Sequence, residues 1–229
     1  MSDYYYSFFF GMYPYICLTI FALGTLIRYD REQYSWRASS SQLLADKGLK
    51  IGNVMFHIGV IFIFFGHLVG LLTPHAVYEH FVTAEQKQLL AIIAGGIAGT
   101  IGFIGLTILV FRRMFVARIR ATSSTMDILV VFIFWVQITL GMITIPFSLS
   151  HHDASIMIQL SEWAQHIVTF RSGASEFIKG TDWPFQVHLI LGMTIFLIFP
   201  FTRLVHILSA PVKYIGRPYQ VVRSRGARR

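Results

Sequence analysis

Four histidines lie in two apolar stretches that hold no Asp, Glu or Lys and a single arginine, Arg203: His57 and His67 within residues 51–78, and His188 and His206 toward the two ends of residues 183–210. An ionisable side chain inside an apolar span is functional by default, and a neutral imidazole is a good iron ligand. His188 and His206 are 18 residues apart. On one continuous helix that is five whole turns, so both rings leave the same face, about 27 Å apart along the axis. That rise approaches the thickness of a hydrocarbon core. His57 and His67 are 10 residues apart, a rise of about 15 Å. Two helices with a histidine near each surface can clamp two haems, one above the other. Helix tilt and a kink at Pro200 take up the difference in rise, for an iron–iron distance of roughly 20 Å.

The only cysteine, Cys17, sits in an apolar span, so no intramolecular disulfide, zinc knuckle or cysteine-ligated cluster can form. With no cysteine near the histidines, the haem is expected to be b-type, held by coordination alone. A porphyrin lying on a helix needs surface free of side chains. Gly66 and Gly70 flank His67, Gly192 is one turn from His188, and Asn53 and Gly59 lie near His57. The run Gly95, Gly96, Gly99, Gly102 and Gly105 reads instead as close helix–helix contact. His75, His80, His151, His152 and His166 lie at the outer surface and read as solvated or interfacial.

These side chains must be positioned by membrane helices. The chain has 229 residues, 55% hydrophobic and 13% charged, which marks an all-α integral membrane protein. Five spans are expected, at about 4–27, 51–78, 88–111, 128–150 and 183–210, in one membrane domain. Pro14 is placed to kink the first. Residues 151–182 form the one long loop, with an amphipathic helix over 154–170 lying on the surface. The start of the chain does not read as a cleavable signal, because Asp3 precedes the apolar run and no basic segment does.

The net charge is +8. Most basic residues border apolar spans, a pattern of bilayer orientation and not of nucleic-acid binding. Sixteen of the nineteen Lys and Arg fall on one side, and Lys87, Arg171 and Lys179 on the other. By the positive-inside rule the N-terminus is outside and the C-terminus, with the basic tail 211–229, is cytoplasmic. Depth then pairs His67 with His188 at the outer face, and His57 with His206 at the inner. Arg37, Arg112 and Arg203 are placed to pair with inner-haem propionates, although positive-inside anchoring explains them equally.

The strings IRYDREQYSWRASSSQLL, FHIGVIFIFFGHLVGLLTPHAVYE, TIPFS, WAQHIVTF and VHLILGMTIFLIFPFTRLVHILSAPVKY together resemble the gamma subunit of membrane-bound respiratory nitrate reductase, its cytochrome b. The likeness covers nearly the whole chain, and the termini match least. It implies a five-helix, di-haem b bundle in the cell inner membrane. His67 and His188 would ligate the outer haem, and His57 and His206 the inner one. It further implies quinol as substrate, with Lys87, at the start of the third span, at the quinol site beside the outer haem; an interfacial anchoring lysine is the alternative role. The partners implied are a cytoplasmic iron–sulfur beta subunit and a molybdenum-containing alpha subunit that reduces nitrate. Two other readings are a cytochrome b of another quinone-linked oxidoreductase, of sulfur-cycle or heterodisulfide type, and a haem-free membrane anchor or transporter.

Overall fold

The computed structural model describes residues 2–36, 47–151 and 153–209. The tail 211–229, Arg37 and His152, each given a place above, lie outside them. Among the described residues every regular element is helical, and five helices are long and apolar enough to cross a membrane: Asp3–Arg31, Gly48–Leu72, Ala84–Phe115, Thr125–Ser150 and Trp183–Phe201.

The first span is composite. Helix α1 (Ser2–Tyr6) runs through a π-helical stretch, Ser7–Met12, into α2 (Tyr13–Arg31). Pro14 follows the π-helical stretch directly, inside one continuous span, and having no N–H it leaves the Phe10 carbonyl four residues back without that helical donor. In that segment the Phe10 carbonyl accepts from the Trp163 indole N–H at 2.9 Å. Helix α3 (Lys47–Leu72) forms the second span and ends at Thr73-Pro74, short of residue 78. A single turn, α4 (His75–Tyr78), follows. The third span, α5 (Ala84–Phe115), opens on a reciprocal capping box between Thr83 and Gln86. After the short α6 (Ala117–Ala121), α7 (Thr125–Ser150) opens on another, between Ser124 and Asp127.

The spans pack in a row. Helix α3 lies on α5, α5 on α7, α7 on the fifth span, α9 (Trp183–Ile198), and α9 on α2. The α3–α5 seam is made by small residues. A Cβ on Gly59 would come within 2.5 Å of the Gly102 Cα, and one on Gly105 within 2.5 Å of the Phe56 backbone N. Gly99, Gly102 and Gly105 of the third span therefore serve helix contact, as read from the sequence, whereas Gly95 of the same run faces open space. Gly59 joins them and does not make room beside His57. The two histidine-bearing helices, α3 and α9, share no extended seam. Along α3, Ile51, Val54, Ile58, Ile61 and Phe65 stay exposed, a surface suited to lipid.

The fifth span is not one straight helix through His206. Helix α9 stops at Ile198, a 3-10 turn covers Phe199–Phe201, Thr202 is extended, and a second 3-10 stretch covers Arg203–Ser209. Pro200 is the physical reason: it offers no N–H, and its ring blocks the preceding turn. It seats against Gly24 of α2, where a Cβ would lie 2.9 Å from the proline Cγ. The redirected chain is anchored by Phe199, Leu204 and Val205, which bury with Val130.

The long loop folds into a cap at the other end of the bundle. Its amphipathic segment is α8 (Ser155–Val168). It is more deeply docked than a surface helix: Trp163, Ala164 and Ile167 bury with Phe10, Ala174 and Ile178. The Gln165 amide donates to the carbonyls of Leu71 at 3.0 Å and Thr73 at 3.4 Å, meeting acceptors that the end of α3 leaves open. Lys179 pairs with Asp3 at 3.0 Å and Glu176 at 2.8 Å, fastening the N-terminus to the cap.

Candidate functional site

His67 projects from α3 and His188 from α9. Their ring centroids are 6.1 Å apart, with the planes inclined at 41°. Two metal–imidazole bonds of about 2 Å each, together with the inner halves of the two rings, span about 6 Å. The gap therefore matches one iron between two imidazoles. Around it, Gly66 and Gly70 face open space, with no atom within 4 Å of where a Cβ would sit. Three features thus fit a haem: the ring spacing, the bare surface beside His67, and the missing α3–α9 seam.

Backbone carbonyls fix the tautomers of three of the four histidines. Nδ1 of His57 lies 2.8 Å from the Asn53 carbonyl, Nδ1 of His67 lies 2.9 Å from that of Ile63, and Nδ1 of His206 bonds that of Arg203. A carbonyl can only accept, so Nδ1 carries the proton and Nε2 keeps its lone pair for a metal. His188 differs: its Nδ1 is buried without a partner. The structure brings His67 and His188 into ring contact but not His57 and His206; His57 packs on Phe56, with centroids 5.1 Å apart. His206 lies beyond the break at Thr202, so the same-face relation expected for a continuous helix does not hold.

Lys87 sits in the first turn of α5. Its Nζ lies 3.7 Å from the centre of the Tyr78 ring and is buried with no hydrogen-bond partner. The ammonium therefore has a cation–π contact and unused donors, a suitable arrangement for a ligand oxygen. Burial, aided by nearby carboxylates, pushes the Tyr78 hydroxyl above its usual range, so it stays neutral. Gln88, next in sequence, ties α5 to the end of α7 by donating to the carbonyls of Ser148 at 2.9 Å and His151 at 2.8 Å.

At the opposite end, Asp127 is held between Arg113 and Arg203, each at 3.5 Å. Burial pulls the Arg203 guanidinium below the usual arginine range, and Asp127 opposes that shift. Arg112 is buried nearby in sequence.

Sequence reasoning missed Gln137. On α7, its amide N–H donates to the His188 carbonyl at 3.1 Å and lies 3.5 Å from the ring Nε2. A Cβ on Gly192 would come within 3.2 Å of that amide, so Gly192 makes room for Gln137. The available signal was that Gln137 is the one side-chain amide in residues 128–150.

Fold and site together define a class: a five-span helical membrane bundle with histidines from non-adjacent helices facing across a gap. Residues 6–225 match the family described as nitrate reductase gamma subunit. The chain is 53% identical to the respiratory nitrate reductase 2 gamma chain of Escherichia coli K12, over 98% of this chain and 100% of that one. It is 50% identical to the respiratory nitrate reductase 1 gamma chain of the same organism, over 95% and 97%. It is 38% identical to the nitrate reductase gamma chain of Bacillus subtilis 168, over 94% and 96%. The chain belongs to the nitrate reductase gamma subunit family, and is thus a component of an oxidoreductase complex.

Proposed function

We propose that this chain is the di-haem cytochrome b subunit of a respiratory nitrate reductase in the cell inner membrane. It oxidises quinol near the outer face and releases protons there. Electrons leave at the cytoplasmic face to an iron–sulfur beta subunit, and then to nitrate on a molybdenum-containing alpha subunit. The observation that carries the reading is the 6.1 Å spacing of the His67 and His188 rings. Family membership supports the choice of complex over other quinone-linked oxidoreductases.

Two haems b, when bound, supply one-electron carriers that divide the two-electron oxidation of quinol. His67 and His188 would hold the outer group, and His57 and His206 the inner. The Nδ1 bonds on three of them keep Nε2 ready to ligate. Lys87 orients quinol by donating to one of its oxygens. Quinol brings two electrons and two protons; the protons leave on the side of α8, and nitrate consumes two electrons at the far end. With the N-terminus outside, electrons move inward against a negative-inside potential. That transfer stores about 2.3 kcal/mol per charge per 100 mV.

A visible spectrum and a haem assay on the purified chain test this reading. Two haems b per chain are expected. A colourless, correctly folded chain would leave only an anchoring role.

A further inference from the structure

A metal-bound imidazole gives one nitrogen to the metal and hands the N–H of the other to an acceptor, which fixes the ring and raises its basicity. His57, His67 and His206 find that acceptor three or four residues back along their own chain. His188 does not. Its Nδ1 is buried without a partner, and so is Oε1 of Gln137. The two residues already touch: the Gln137 amide Nε2 donates to the His188 carbonyl at 3.1 Å and lies 3.5 Å from the ring Nε2. Glycine on both helices permits the approach. A Cβ on Gly141 would come within 3.0 Å of the His188 Cε1, and one on Gly192 within 3.2 Å of the Gln137 Nε2.

We propose that Gln137 is the positioning residue of the outer haem: when His188 ligates, its ring turns so that Nε2 leaves the Gln137 amide for the iron, and Gln137 Oε1 accepts the Nδ1–H. One contact then satisfies both unpartnered atoms. If Gln137 were only polar glue between α7 and α9, its bond to the His188 carbonyl would suffice and both orphans would remain. The outer site is thereby set from a neighbouring helix, whereas His57, His67 and His206 are set by their own segments. The inference rests on the reading of His188 as a haem ligand.

The test is a redox titration of the full chain, assembled with its partner subunits in native membranes, with the haem count taken alongside. An acceptor on Nδ1–H makes the imidazole more basic and favours the oxidised metal. Gln137→Met removes the acceptor. It should raise the reduced-to-oxidised ratio of the outer component about tenfold at fixed potential, an upward shift of about 59 mV for one electron. Gln137→Glu keeps an acceptor at the same reach and should put the midpoint at or below that of the unsubstituted chain. The inner component should stay put in both, with two haems retained. An outer midpoint unmoved by Gln137→Met, or moved equally by both substitutions, overturns the proposal. If Gln137→Met does not assemble, Gln137→Asn withdraws the acceptor by one methylene and should also move the outer midpoint upward; no shift there overturns it too. A haem count of zero in the unsubstituted chain is a different failure, that of the ligand reading.

Discussion

Arg28 and Pro200, 172 residues apart in sequence, are joined by a 2.7 Å hydrogen bond from the guanidinium Nη1 to the proline carbonyl. The same Nη1 donates to the Thr202 carbonyl at 2.7 Å, and Nη2 to the Ser35 carbonyl at 3.1 Å. The break after α9 leaves carbonyls without helical partners, and one planar, always-charged group from α2 supplies the donors. The segment that carries His206 is therefore held by the first span as well as by its own helix.

Arg28→Met should lower the unfolding free energy by about 3 kcal/mol, since charged hydrogen bonds contribute about 1.5–3 kcal/mol and carbonyls are left bare. The inner haem should weaken first. Thermal unfolding in detergent, followed at the two haem signals separately, checks this; equal loss of both signals would separate Arg28 from His206.

The histidine pairs make a second prediction. His67→Ala and His188→Ala should damage one redox component, and His57→Ala and His206→Ala the other. Titrating optical and spin-resonance signals in the four variants decides it. Loss of the same component in His67→Ala and His206→Ala would break both the pairing and the topology behind it.

Lys87→Ala should slow haem reduction by added quinol while both haems stay bound. The buried, unpartnered ammonium is the reason. Unchanged quinol kinetics would return Lys87 to an anchoring role over Tyr78.

Gly59→Ala tests the seam between α3 and α5. Its new methyl meets the Gly102 backbone at 2.5 Å, and overpacking of that kind costs about 1–3 kcal/mol. Both haems should fall together, because α3 carries one histidine of each pair. The haem count and the unfolding temperature report the outcome.

For orientation, a reporter fused after Arg229 should be active only in the cytoplasm, and one placed in the loop before α9 only outside. Activity of both on one side would end the five-span reading.

The spans were legible because lipid demands long uncharged runs, and sequence supplies these directly. The Gly99–Gly102–Gly105 contact face was legible because helical periodicity is local; the same-face spacing of His188 and His206 was not, because the helix stops between them. The break at Thr202 was only half visible. Pro200 marks a weak point, but whether a chain kinks or stops depends on donors from elsewhere, and Arg28 is 172 residues away. Gln137 was hidden in the same way. A single amide in an apolar span acquires meaning only when the facing helix presents Gly192 and His188. The docking of α8 uses the Phe10 carbonyl; Pro14 announces that this carbonyl lacks a helical donor, but not that Trp163, far along the chain, supplies one.

The row of packed helices also bears on how the chain is made. Synthesis delivers α3, α5, α7 and α9 in that order, and α5, α7 and α9 each pack on the span released just before. Only the α2–α9 seam must wait until the last span emerges. The spans from α5 onward thus find a partner already in the bilayer, while the docking of α8 on the end of α3 and on Phe10 closes over a longer stretch of chain. The first and last helices meet at the end, so the Gly24 notch, Pro200 and the Arg28 bonds form at the moment the bundle is completed.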